Sequence, residues 1–495
     1  MEFWPKKTFS LAIVGGGLAG VSLARGLLRR GISCQVFEGA ASFADIGHGA
    51  GAGEGLSFAI NSLEALRACD PESYEKFLKM SNDTSMSEGK DVYMTYRDGR
   101  TDHGRRITTL HCKGSGQQVV HRTQLVEVIN LPVPWPFAKD KRLIVVQDMV
   151  SLMPPDTFHM NKRLRTVEDN SSGGVTLTFE DGSTFNTDAC VGADGIKSRI
   201  RQVLLGNDNP DSKPKYSGKV GYRSLVPMDK AVNVLGEEFA KNGNVIIAEG
   251  ALTTTYPVEN GAMLNVLAER DQPAWEESSW IVPCKKETVR KEFSKTGKKM
   301  QQVVSLLENP EKCSLWHHPD AATFYRGRLA MIGDAAHAAT PHQGADAGQA
   351  FEDALILANL LENDNIKRAE DLENAFAAFD AIRRPRTLKI VDTSRENGDI
   401  YMKRGPETGT DLGKIKNILD KRFEWIWYND LDGQVESAIG KLKHLKGDGF
   451  DEDKRSPSQR SLVDESTVEA SYRPAILRNE SISQIGSVAA PTVKG

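Results

Sequence analysis

The chain has no CxxC pair, no unbroken apolar run of membrane-spanning length, no large charge of either sign and no GxSxG turn. Each absence excludes something. The six cysteines stand singly at 34, 69, 112, 190, 284 and 313. A zinc knot or a redox dithiol is therefore not expected, and a reducing, cytoplasmic setting is the simple reading. The most apolar stretch, Leu11 to Leu28, is interrupted by Gly15, Gly16, Gly17, Gly20, Arg25 and Gly26, which argues against a membrane span. Met1 to Ser10 lacks the long apolar core of a signal peptide. Lys and Arg number 63 against 67 Asp and Glu, a formal net charge of −4. That balance supplies no overall field for gripping nucleic acid or an anionic membrane. His337 and His342 are five apart across a proline-containing turn with no third partner implied, so no metal site is expected. A serine-hydrolase elbow is missing.

What is present is 495 residues with 39% hydrophobic content, enough for two or three domains. Phe9–Val14 reads as a buried strand, followed by a glycine turn, a helix to about Arg30 and a second strand at Ile32–Phe37, which opens a parallel α/β unit. Ala44–Gly55 reads as a glycine-rich loop, and Ser62–Ala68 as the opening of a helix. Val92–His103 and Val175–Phe185 alternate as strands do, with Glu180-Asp181-Gly182 as a hairpin turn. Strands dominate from Lys215 to Arg270. Helices are expected at Lys286–Lys291, Met300–Leu307, Gln349–Leu361 and Leu372–Arg384, the last stopped near Pro385, and then over Leu412–Trp427 and Gln434–Leu445. The polar stretch after Gly447 reads as a poorly ordered tail, 448–495, with docking of Tyr472–Leu477 as the alternative.

Gly15-Gly16-Gly17-Leu18-Ala19-Gly20 fits GxGxxG between a strand and a helix. Gly15 permits the tight turn, Gly17 the approach of a pyrophosphate and Gly20 close helix–strand packing. The helix N-terminus faces the phosphates. Glu38, 18 residues after Gly20, stands where a ribose hydroxyl would be held. Arg25 on the same helix reads as a surface residue.

Further motifs carry a resemblance. They are Val120-His121-Arg122-Thr123-Gln124-Leu125, Gly192-Ala193-Asp194-Gly195, Gly333-Asp334-Ala335-Ala336-His337-Ala338 and Pro341-His342-Gln343-Gly344-Ala345. With the glycine turn they make the chain resemble the single-component, group A flavoprotein aromatic hydroxylases, salicylate 1-monooxygenase and its fungal phenol and polyketide hydroxylase relatives among them. The resemblance implies a Rossmann-like FAD-binding domain (1–85, 105–214 and 320–400) interleaved with a mixed or antiparallel-sheet substrate domain (86–104 and 215–319) and followed by C-terminal helices (401–447). It assigns Gly15, Gly17, Leu18, Ala19, Gly20 and Glu38 to FAD, with Arg122 near the phosphates. It makes Asp194 shared between FAD and the nicotinamide, and sets Asp334 at the ribityl chain. Backbone donors of Gly344, Ala345, Ala347 and Gly348 would face the flavin pyrimidine edge, where reduced flavin is negative.

Two departures stand out. Asp346 occupies a place where such enzymes usually carry glycine. A carboxylate aimed at the ring would oppose reduction, so Asp346 is expected to point to solvent, cap the helix or meet a basic residue. Residues His48–Gly53 read as an extra segment.

For the substrate, the resemblance points to Arg223, Tyr256, His342 and Pro341. Read from the residues alone, Arg223 is either a salt-bridged structural group or an anion ligand. His342 is either a structural histidine or a group that helps deprotonate a phenol. His317 and His318 read as a surface pair. The implied reaction uses NADH or NADPH and O2 to hydroxylate a phenol ortho to its hydroxyl through an FAD C4a-hydroperoxide. Its first form is decarboxylative hydroxylation of salicylate or a related 2-hydroxybenzoate. Dearomatisation of a resorcinol-type ring is the near alternative. A non-hydroxylating FAD dehydrogenase or flavin-bearing interaction module is the alternative of another class. Monomer and homodimer both remain open.

Overall fold

In the computed structural model, residues 7–42, 55–83, 91–121, 149–170 and 173–447 are described, with positions 46, 89 and 147. Arg122, the 48–53 segment and the 448–495 tail lie outside the described residues, as does Tyr472–Leu477.

The first sheet has six strands in the order Tyr325–Arg326, Leu329–Met331, Ala189–Gly192, Leu11–Val14, Cys34–Phe37 and Phe158–His159. All neighbours run parallel except the edge pair 325–326 and 329–331. Leu11–Val14 is buried at every residue because helices cover both faces of such a sheet. Leu18–Arg29 follows it directly and packs against the helix Asp346–Glu362, which in turn meets Ile60–Cys69 and Leu372–Tyr401. A parallel sheet sheathed in helices is the α/β architecture expected from the strand–turn–helix–strand opening.

The second sheet has eight strands, in the order 281–283, 311–317, 215–227, 263–271, 251–258, 244–248, 92–98 and 106–111. Only the 244–248 and 92–98 pair is parallel. Side chains alternate across a strand, so this sheet has two distinct faces. One face packs its apolar residues, Val220, Tyr222, Ile246 and Val266 among them, against Met300, Val303 and Val304 of the helix Lys298–Ser305. The other presents a row fixed by register: Tyr96, Val245, Thr254, Leu267, Arg223 and Glu311. That row becomes the floor of a cavity.

Three local expectations are corrected. The helix from Leu372 does not stop at Pro385 but runs to Tyr401 with the proline inside it. Pro385 forfeits one hydrogen bond, yet the arginines on either side are anchored. Arg383 and Arg386 both bind Glu352, and Arg383 also binds Asp353. Arg25 is not a surface residue: it is 4% exposed and its Nε donates to Asp70 at 2.6 Å. His317 and His318 are buried, and burial pushes His317 down to about 4.

All six cysteines are free; Cys284 is partly exposed and the other five are buried. Burial pushes Cys34 up to about 12 and Cys69 and Cys313 up to about 11. Among the described residues, no helix is long and apolar enough to cross a membrane.

Candidate functional site

Two cavities meet inside the molecule. The larger, about 730 Å³, runs along the glycine turn past Gly15, Gly17, Leu18, Ala19, Glu38 and Asp194. The smaller, about 170 Å³, lies over the eight-stranded sheet and includes Arg223, Tyr256, Glu269, Pro341 and His342. Five residues line both: Leu56, Ile196, Asp334, Asp346 and Ala347.

The larger cavity fits a dinucleotide, and the glycines are the test. Gly15 has φ +109°, and a Cβ there would lie 2.8 Å from Asp194 N. A Cβ on Gly20 would run into Gly15 O. Those two glycines are demanded by the fold. Gly17 is different: a Cβ on it would meet nothing within 4 Å. The protein's own packing does not require a glycine at 17, so a ligand lying against the backbone is the physical reason for one. Glu38 accepts the Gly16 N–H at 2.6 Å and the Ala40 N–H at 2.7 Å. Its carboxylate braces the turn and keeps further lone pairs for a ribose hydroxyl on the cavity side.

Asp194 lies in the cavity wall, but its carboxylate is engaged. It accepts from Ser198 Oγ at 2.5 Å and from the Arg199 and Ile200 amides at 2.7 and 3.2 Å, at the start of the helix Arg199–Leu205. Asp334 is exposed toward both cavities. Its loop is fixed from behind. His337 Nε2 meets Asp353 at 2.7 Å, and Asp353 also accepts the Gly333 N–H at 2.9 Å. The following turn is held by Tyr93 Oη donating to Gln343 O and by Ser57 Oγ donating to Gly344 O. Gly344 itself is left-handed, φ +58°.

Behind this turn lies a charged cluster. Glu352 and Asp353, both fully buried, face Arg383 and Arg386 from the neighbouring helix. Burial alone would raise the Glu352 carboxyl, but the charges of Arg386 and Arg383 hold it far below its ordinary range.

Asp346 is partly exposed and lines both cavities, and no ion pair to it is formed among the described residues. It is the first residue of the helix Asp346–Glu362, which starts three residues earlier than expected, and its side chain stands where the two cavities join. It does not cap the helix, whose N-cap is Ala345 with no side-chain cap bond, although the amides of Ala347 and Asp346 act to lower its carboxyl. Burial and the nearby Asp334 outweigh them and push it up to about 6.

Over the sheet, Arg223 forms a salt bridge, the first of its two sequence alternatives, and does so in a cavity wall. It lines the smaller cavity, 8% exposed, and its Nη2 and Nε donate to Glu311 at 2.8 and 3.2 Å. Glu311 is half exposed, so this pair is partly solvated. Tyr256 lies in the adjacent row opposite Asn265. His342 is buried and its Nε2 lies 3.0 Å from Glu269, a carboxylate whose side chain is only 2% exposed. The contact suits the tautomer in which Nε2 donates to Glu269, and in that tautomer Nδ1 is the acceptor. Nδ1 is buried with no hydrogen-bond partner.

Glu269 is the functional candidate that sequence reasoning missed. Its neighbours in the strand pairing are Gly221 and Leu252, a signal visible only once register is known. Phe423 also reaches this cavity and stacks on Trp427 at 5.1 Å, so that aromatic group is packing rather than a nucleic-acid platform.

Comparison with known proteins decides the family. Residues 146–394 match the FAD binding domain family. The chain is 34% identical over 438 residues to 6-methylsalicylate 1-monooxygenase of Aspergillus terreus, covering 87% of this chain and 91% of that one. The chain belongs to the FAD-dependent aromatic monooxygenases of the salicylate hydroxylase family. Salicylate hydroxylase of Pseudomonas putida is 31% identical over 452 residues, 89% of this chain and 96% of that one. The solved structure of a salicylate hydroxylase substrate complex superposes with TM-score 0.74 at 29% identity, covering 88% of this monooxygenase and 98% of that chain. FAD is thus the cofactor.

Proposed function

We propose that this monooxygenase uses NAD(P)H and O2 to hydroxylate a monocyclic 2-hydroxybenzoate at its carboxylate-bearing carbon, releasing CO2 and giving a catechol. The observation that carries the reading is the bare, buried Nδ1 of His342, backed by Glu269, in the same cavity as Arg223. Bound FAD supplies electron transfer from the nicotinamide and activation of O2. The chain's own residues do the rest. A cavity of about 170 Å³ suits one substituted ring, since about 150 Å³ holds a benzene. Arg223 offers its guanidinium to the carboxylate, shared with the half-exposed Glu311. His342 Nδ1 accepts the phenol proton, because the ring must be electron-rich at attack, and Glu269 holds the imidazole in the required tautomer. Met94, Leu252, Leu267 and Leu315 supply apolar wall that excludes water and tolerates an alkyl substituent. 6-Methylsalicylate 1-monooxygenase and salicylate hydroxylase, the relatives named above, act on such acids by their names.

A second reading has its own support. Tyr256, which lines the same cavity as Arg223, gives a second polar contact suited to the oxygens of a resorcinol-type ring bearing an alkyl group at the attacked carbon. Re-aromatisation is then blocked and a hydroxydienone results. One experiment separates the two. The flavin-loaded protein is given salicylate, 6-methylsalicylate and an alkyl resorcinol under labelled O2, with CO2 and products followed by mass spectrometry. Labelled catechol with stoichiometric CO2 is expected. NAD(P)H oxidation by every phenol without label in any product would remove the hydroxylase reading.

A further inference from the structure

We propose that Asp346 contacts the flavin and sets how readily it is reduced, making reduction harder in its ionised form and easier in its protonated form. The inference rests on FAD lying across the two joined cavities, not on which phenol is hydroxylated.

Placement comes first. A ligand that fills the cavity along the glycine turn and presents its reactive end to the substrate must cross the place where the two cavities join. Among the described residues, only Leu56, Ile196, Asp334, Asp346 and Ala347 line both. Leu56, Ile196 and Ala347 are apolar, so the chemistry at the crossing belongs to two aspartates. Asp346 opens a 17-residue helix, and its first two residues, Asp346 and Ala347, line this space, which places the helix's unbonded amides at the junction. Those amides carry the positive end of the helix dipole and would by themselves favour negative charge on a bound ring. The Asp346 carboxyl stands over them and drains that advantage when ionised.

The charges facing it leave it in the balance. Asp334 across the junction opposes its ionisation, and His337 favours it only weakly because that imidazole is committed to Asp353. Tyr93, from the eight-stranded sheet, feels the Asp346 charge, but its hydroxyl is bonded to Gln343 O. Arg223 and Glu269 face the substrate side, and Lys197 and Arg199 line the other cavity. Burial already pushes the Asp346 carboxyl up to about 6, and a ring closing the junction removes more water from it. Reduction that places negative charge on the ring then draws a proton onto Asp346. The balance is two electrons and one proton to the flavin, which leaves the ring anionic, and one further proton from solvent to the carboxyl.

The test is the midpoint potential of the bound flavin from pH 5 to 8.5, for the wild type, Asp346→Asn and Asp346→Ala. The wild-type potential is expected to fall more steeply with pH above about 6 than that of Asp346→Asn. At pH 8 the Asn variant is expected to favour the reduced flavin about tenfold more, a shift of about 30 mV for a two-electron couple. Parallel curves for wild type and Asn variant would overturn the proposal. If both variants lose FAD, the wild type alone decides: a constant slope across pH 5–8.5, with no inflection, overturns it equally. Failure of phenol hydroxylation leaves these potentials readable, so the two readings fail separately.

Discussion

Replacing Glu352 by glutamine tests whether the buried charge cluster holds the cofactor turn in place. In the wild type one carboxylate collects five donors. Arg383 Nη1 lies at 2.6 Å, Arg386 Nε at 2.8 Å, Arg386 Nη2 at 2.9 Å, Asn61 Nδ2 at 2.7 Å and Gln349 Nε2 at 3.1 Å. An amide keeps the shape but loses the charge, and its NH₂ must face donors. Arg383, with no exposed side-chain surface, would keep Asp353 as its anionic partner and Gln349 Oε1, at 2.8 Å, as a neutral acceptor. Breaking a buried pair from one side costs about 3–5 kcal/mol. At about 2.1 cal/mol/K per residue over the 1–449 unit, that is a fall in Tm of about 3–5 °C. The assay is thermal unfolding of the flavin-loaded protein across pH. Because the Glu352 carboxyl is held well below its unfolded value, its contribution is fully present above about pH 4.3 and is lost as pH falls toward the folded value. The gap between wild type and Glu352→Gln should therefore stay constant from pH 8 to about 5 and narrow only in stronger acid. A Tm within 1 °C of wild type, or a gap closing near neutrality, would refute the reasoning.

Two further outcomes bear on the substrate cavity. Arg223→Ala should lower kcat/KM for carboxylated phenols by about 10–100-fold through loss of charge-assisted bonds, while FAD stays bound and stability changes by under about 1 kcal/mol, since Glu311 remains solvated. Unchanged kinetics by steady-state assay would take Arg223 out of the site. Glu269→Gln should lower kcat about tenfold for ordinary phenols but far less for nitro-substituted phenols that arrive already ionised. Equal losses for both substrate sets would reduce Glu269 to a packing role.

The parallel unit was legible because its signals are local. A buried strand, a glycine turn and an acidic residue at the next strand's end lie within 30 residues, and the observed Leu11–Val14, Leu18–Arg29 and Cys34–Phe37 follow them closely. What escaped was decided by partners distant in sequence. Pro385 is a stop signal by itself, and only the arginines beside it, clamped by the 346–362 helix, carry the chain through. Arg25 looks like a surface cation until Asp70 is brought beneath it. His317 and His318 look polar and exposed until the end of the eight-stranded sheet buries them. Glu269 is one glutamate among many until pairing puts it on the cavity face, opposite a histidine 73 residues away. Asp346 was singled out for its type, but its surroundings could not be read without the geometry of the joined cavities.

The buried thiols have a consequence for durability. An enzyme that hands electrons to O2 releases some hydrogen peroxide whenever the transfer misses its target. Peroxide attacks sulfur as the thiolate, and that form is scarce when burial holds the group near 11 or 12. Five of the six cysteine thiols are buried, Cys313 among them in the lining of the smaller cavity, and the partly open Cys284 lies in the lining of neither. Cys313 and Met94, which line the smaller cavity, are the sulfurs nearest to such leakage, and burial leaves Cys313 little thiolate to be attacked.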